Sequence, residues 1–158
     1  MKPLPETDKT LLIRTDFSDA AAWRNICAAV RVPDSGLQKA LGLFASLNEA
    51  IGQPLGELEM PLQIVDDLDY KDLSADRLLG LLPGSSNYLL LLVADRVTFS
   101  DADHPVLVVD VGTEPGRTFR SVPSQVFAIE SNLSIANMDW EDFAGSVDED
   151  GVFRGFPE

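Results

Sequence analysis

Histidine is almost absent: the 158 residues contain one, His104. Proton transfer at neutral pH most often uses an imidazole. The sole candidate precedes a proline in the turn-rich stretch SDADHP. Cysteine is equally scarce. Cys27 alone excludes an intramolecular disulfide and a multi-cysteine zinc site. It falls inside AAAWRNICAAV, where a small buried side chain is expected rather than a nucleophile paired with histidine. Basic residues number 12 against 26 acidic ones, for a net charge of -14. That balance disfavours general binding of DNA or RNA, which depends on neutralising phosphates. The longest strongly apolar run, YLLLLVA, falls far short of the roughly 20 residues of a membrane span. The N-terminal MKPLPETDKT lacks the apolar stretch of a signal peptide. The expectation is a cytoplasmic protein with no membrane partner. No G-x-G-x-x-G, Walker, G-x-S-x-G or H-E-x-x-H pattern occurs, and no cofactor is expected.

What is present is a substantial apolar fraction. Hydrophobic residues make up 45 % of the chain, enough for one domain over residues 1–158 with its own core. TLLIRTDF (10–17) reads as a buried strand, and Asp16 or Ser18 is placed to cap the helix that follows as far as Pro33. Ala22, Trp23, Ile26, Cys27 and Val30 recur at spacings of three and four and give that helix one apolar face. A second helical pattern covers 37–51. LQIVDD (62–67) reads as a strand, and LSADRLLGLLP as a short helix capped by Ser74 and stopped by Pro83. NYLLLLVADRVTFS carries the strongest strand signal, a continuous apolar run of the kind buried on both faces of a sheet. HPVLVVDVG is another strand. RTFRSVP is a third, with Phe119 inward and arginines outward. SQVFAIESNLSIANM starts at a capping-type Ser124, and DWEDFAGSV reads as a short helix capped by Asp139. The predicted order, β-α-α-β-α-β-β-β-α-α-β, is an α/β domain: a mixed central sheet flanked by helices.

The charge is unevenly placed. Residues 1–60 carry 6 basic and 8 acidic groups, and residues 61–158 carry 6 and 18. Several predicted strands end in aspartate: Asp16, Asp66 with Asp67, Asp95 and Asp110. Ligands of open α/β sheets gather at the carboxyl ends of strands. Asp16, Asp67, Asp95 and Asp110 are therefore the candidate ligands for Mg²⁺ and a phosphate-bearing substrate. The competing reading is that these aspartates cap helices and begin turns, and that two of the strands run antiparallel. Arg14, Arg96, Arg117, Arg120 and Arg154 could grip an anion, but in so acidic a chain internal ion pairs are the favoured use.

The C-terminal quarter is the most acidic stretch. NLSIANMDWEDF places Asp139, Trp140, Glu141 and Asp142 in succession, and SVDEDG adds Asp148, Glu149 and Asp150. These seven residues are the candidate partner-binding set: a tryptophan among carboxylates, with charge to guide encounter. The three-residue spacing of Trp140 and Phe143 favours the opposite use for the ring, packing onto a sheet. SVDEDGVFRGF is not an EF-hand loop. With Gly151 at position 6, position 12 falls on Pro157, which offers no side-chain ligand. Asp150-Gly151 reads instead as a tight turn into a short strand.

Five blocks, LLIRTDFSDAAAW, HPVLVVDV, EPGRTFRSVP, NLSIANMDWEDFA and DGVFRGF, resemble in order a bacterial domain family of unknown function, frequent in actinobacteria. The resemblance covers residues 11–31 and about 60–156, and it implies a compact domain in which residues 34–58 form a variable helical insertion. It implies no reaction, ligand or site. The functional expectation therefore rests on charge: a non-enzymatic acidic binding protein, of the immunity or antitoxin type, inhibiting a basic protein partner. The alternative is the Mg²⁺-dependent enzyme built on the strand-end aspartates.

Overall fold

Five consecutive residues, Leu90–Ala94, are all buried, and they form the third strand of a six-stranded sheet. The computed structural model describes residues 2–33, 60–84 and 87–156. The helix expected over 37–51, and with it the insertion at 34–58, lies outside the described residues. The strands are β1 (Thr10–Arg14), β2 (Leu62–Val65), β3 (Leu90–Ala94), β4 (Val106–Asp110), β5 (Thr118–Ser121) and β6 (Val152–Phe153). Their spatial order is β2-β1-β3-β4-β5-β6. β2, β1 and β3 run parallel, β4 is antiparallel to both its neighbours, and β6 is parallel to β5. The sheet is mixed and has helices on both faces, so the fold is α/β.

Alternation along each strand divides the apolar residues between two layers. Leu12, Leu90, Leu92, Val106, Val108 and Phe119 face one way. Over them pack Trp23, Ile26 and Val30 of α1 (Ala20–Arg31), Val126 and Ile129 of α4 (Val126–Ser134), and Trp140 and Phe143 of α5 (Trp140–Ala144). Leu11, Ile13, Leu91, Val93 and Val109 face the other way. They are covered by Leu78 of α2 (Ala75–Leu79), by Tyr70 in a 3₁₀ turn, and by Leu4 of the N-terminal segment. The Tyr70 hydroxyl donates to the Pro3 carbonyl (2.7 Å) and the Tyr88 hydroxyl to that of Pro5 (2.5 Å), pinning this segment across the sheet.

Helix starts follow local chemistry, with three departures from expectation. Asp19, rather than Asp16 or Ser18, caps α1 by accepting the Ala22 N–H (3.0 Å). Asp16 is already taken: its side chain accepts from the backbone N–H (2.9 Å) and hydroxyl of Ser18. The strand signal in NYLLLLVADRVTFS stops at Ala94. Asp95 accepts the Thr98 N–H while its own N–H donates to the Thr98 hydroxyl, a reciprocal cap that starts α3 (Arg96–Ser100). Ser124 caps nothing. A 3₁₀ turn over Pro123–Gln125 feeds α4 directly. Ser74 caps α2 as expected, with the Arg77 N–H 3.3 Å from its hydroxyl, but the helix closes at Gly80, before Pro83.

Between α4 and α5 the chain bends at Ala136, whose φ is +55°. Asn132 caps the bend from within. Its carbonyl accepts the N–H groups of Asn137 and Met138, its amide donates to the Ala128 carbonyl, and the Asn137 amide donates to its side-chain oxygen. The two asparagines are thus accounted for as backbone partners at a turn.

Trp140 is core. It is only 7 % exposed and meets Phe119 edge-on at 4.7 Å between ring centroids. Trp140→Ala is expected to cost about 3–5 kcal/mol of unfolding free energy, because the void sits between a helix and a sheet that cannot both collapse onto it. Urea denaturation of the two proteins measures this. A loss below about 1 kcal/mol, the size of a surface change, would place the ring outside the core.

Candidate functional site

The parallel strands bring Asp16, Asp66, Asp67 and Asp95 to one end of the sheet, because β1, β2 and β3 finish in register: Ile13 lies opposite Val65, and Arg14 opposite Ala94. Asp110 lies at the other end. β4 returns antiparallel, so Asp110 pairs with Leu90, the first residue of β3. The proposed metal set Asp16, Asp67, Asp95 and Asp110 is therefore split, and the strand polarity is the reason. Each carboxylate is also engaged locally. Asp67 pairs with Lys2 and accepts the Asp69 N–H. Asp110, 3 % exposed, accepts from the backbone of Thr113 and Glu114 and from Arg117 Nε and Nη2 at 3.0 and 2.7 Å. Among the described residues no three of His, Cys, Asp and Glu form a group that could hold a metal.

Arginine explains much of this engagement. Arg14 is 7 % exposed, donates to Asp66 (3.3 Å) and to the Asp16 carbonyl, and lies 4.5 Å from the Phe17 ring centre. Arg120 forks onto Asp95, with nitrogen–oxygen distances of 2.9 and 2.7 Å. Burial pushes the Asp95 carboxyl up. The Arg120 fork and the Thr98 donors outweigh it and hold the group below the usual aspartate range.

The candidate partner-binding residues separate into one buried ring and six exposed carboxylates. Trp140 leaves the set, since it is packed between Phe119 and the Arg117 guanidinium, 5.3 Å from its ring centre. Asp139, Glu141, Asp142, Asp148, Glu149 and Asp150 are all exposed. The segment is fastened at both ends. Arg117 donates to Glu141 (2.7 Å) at one. Arg154 donates to Asp148 and Asp150 (2.8 Å each) at the other, and also to Asp103 (3.1 Å). These guanidiniums hold the Glu141 and Asp150 carboxyls below their ordinary values. The turn has the expected form: the Gly151 N–H donates to the Asp148 carbonyl (2.9 Å) with φ +80° at Gly151, and β6 follows.

A second feature was not legible in the sequence. An open cleft of about 540 Å³ lies between α1 and the segments that enter β4 and leave β5. Its floor is Ile26, Ala29, Val122 and Pro123, and its polar lining is Asn25, Asp103, His104, Ser124 and Arg154. His104 takes a left-handed backbone, φ +49°, a conformation that histidine tolerates better than most residues. Its Nδ1 lies 3.0 Å from the Thr98 carbonyl. A carbonyl only accepts, so Nδ1 is the donor in this contact, which fixes the orientation of the ring. Only the turn residues of SDADHP hinted at this strained position. Cys27 is half-buried, and burial pushes its thiol up to about 11, the reverse of what a nucleophilic cysteine needs.

Three outcomes test this electrostatic arrangement. Asp95 titrates lower folded than unfolded, so its contribution is fully present above the ordinary carboxylate value of about 3.9 and is lost as pH falls through the folded value. Denaturation curves from neutral to acid pH should show a shallower acid loss for Asp95→Asn than for wild type. At neutral pH, Arg120→Ala should cost about 1–2 kcal/mol, the loss of charged hydrogen bonds discounted for a partly solvated pair. Arg154→Gln should speed amide exchange at Gly151 and Val152 while leaving β3 protected. Unchanged exchange would mean that the turn holds without the arginine.

No curated protein and no solved structure matches the chain. One family model does, over residues 9–156, an interval that begins just before β1 and contains all six strands, the cleft and the acidic segment. That coverage shows the family, and the chain belongs to the domain of unknown function DUF6924.

Proposed function

We propose that this protein is a non-catalytic binding protein that takes a basic protein partner on the face formed by α5 and the 146–151 turn. One observation carries the reading. Residues 139–150 contain six carboxylates and no lysine or arginine, and guanidiniums from outside the segment fasten both its ends. Pre-ordered carboxylates lose little conformational freedom when a cation arrives, which lowers the cost of association. Two arginines do not neutralise six acids, so the face keeps a negative field that steers a basic partner. Where the partner's basic groove is its own substrate groove, as in an enzyme that cleaves nucleic acid, covering it inhibits. This is the immunity or antitoxin type of action. Trp140 supports the face from beneath by carrying Arg117. Among the described residues no helix is long and apolar enough to cross a membrane.

The test is capture with the immobilised protein followed by identification of what is bound. A basic protein should be retained at low salt and released as the Debye length contracts from about 8 Å toward 3 Å. Glu149→Lys, at an exposed position, should slow association with that partner and leave thermal stability unchanged. Capture that ignores both salt and Glu149→Lys would remove the acidic face from the interaction, and absence of any basic partner would overturn the reading.

A further inference from the structure

We infer that the cleft beside α1 receives the side chain of a lysine or arginine from the partner; this rests on the basic-partner reading above and names a second point of contact for it. The cleft has the two parts that such a side chain needs. Ile26, Ala29, Val122 and Pro123 supply an apolar floor for the aliphatic stem, which long basic residues commonly lay along apolar surface. Around it stand acceptors for the charged head. His104 stands beside them with its ring oriented by the contact of Nδ1 with the Thr98 carbonyl. That support is rigid, since Thr98 is fully buried and its hydroxyl donates to the Pro105 carbonyl (2.8 Å). Asp103, Asn25 and Ser124 supply the oxygen acceptors.

The charge around the cleft selects the sign of its ligand. Among the described residues the one cation in the lining is Arg154, which already donates to Asp103, Asp148 and Asp150. Within the lining Asp103 offsets Arg154, and Asp148 and Asp150, just outside it on the same guanidinium, make the surroundings net negative, which opposes an anion and attracts an ammonium or guanidinium. Asp148 and Asp150 also belong to the acidic turn, so the cleft and the proposed face share Arg154 as a common wall. The volume, about 540 Å³, is within the ordinary range of side-chain and small-ligand sites.

The experiment uses small probes in place of the partner. Amide proton–nitrogen spectra of the full chain would be recorded against n-butylguanidinium and n-butylammonium, with butyrate as the anionic control. The cations should shift the amides of Ala29, Asp103, His104 and Ser124, and butyrate should not. Ala29→Phe, which fills the floor, and Asp103→Asn, which removes a rim charge, should each weaken the cation's binding by about fivefold or more. Equal shifts with butyrate, no shift at those amides, or full binding by a folded Ala29→Phe protein would overturn the inference. Cation binding that Ala29→Phe abolishes, together with no capture of a basic protein, supports the cleft and sinks the wider reading. Capture that persists in Ala29→Phe while the probes bind nowhere near the cleft does the reverse.

Discussion

The burial of β3 on both faces is the constraint around which the rest of the molecule is arranged. Leu90–Ala94 offers water no side, so the sheet must be covered above and below. Leu90, Leu92 and Ala94 require the layer made by α1, α4 and α5, and Leu91 and Val93 require the layer made by α2, Tyr70 and the N-terminal segment. Neighbouring strands inherit the same division. The N-terminal residues, which carry little secondary structure of their own, are drawn in as part of the second layer and fixed there by two tyrosine hydroxyls.

With the sheet fixed, polar groups at its ends become an accounting problem that arginine solves. A carboxylate half-buried at a strand end loses hydration and must recover it from donors. Arg120 does this for Asp95, Arg117 for Asp110, and Arg14 for Asp66, whose other oxygen accepts the Trp23 ring N–H at 3.2 Å. The same residues fix backbone structure, since Asp95 starts α3 and Asp110 organises the turn into β5. Such double use leaves these carboxylates poor metal ligands, because coordination would forfeit both the ion pair and the cap. The acidity that is free to act outward lies elsewhere, on α5 and the turn before β6. The arginines there reach only part of the negative charge.

The cleft and the acidic face follow from how the chain closes. The end of β6 returns toward the loop that enters β4, and Arg154 joins the two through Asp103. That one side chain sets the conformation of the acidic turn, walls the cleft and cancels part of the local charge. Stability and recognition meet in it, and a change at Arg154 should not be read as acting on one alone.

Local chemistry was largely readable from the residues alone. The strands around Leu11, Leu91 and Val108, the apolar face of α1, the Ser74 and Asp139 caps, the Asp150-Gly151 turn and the inward Phe119 all follow from spacing and residue type within a few positions. So does the segregation of acid toward the C-terminal half. Where two local signals competed, the sequence misled: an apolar run carried the strand past Asp95, although a capping aspartate with threonine three residues on starts a helix. Only the assembled structure decided the polarity of β4, which sends Asp110 to the far end from Asp16, Asp67 and Asp95. It alone also paired Arg120 with an aspartate 25 positions away, and gathered Asn25, His104, Ser124 and Arg154 around one cleft. The reason is physical. Periodicity and caps are set by neighbours within a few residues, whereas strand direction, ion-pair choice and cavities depend on which distant surfaces come to share one low-dielectric boundary.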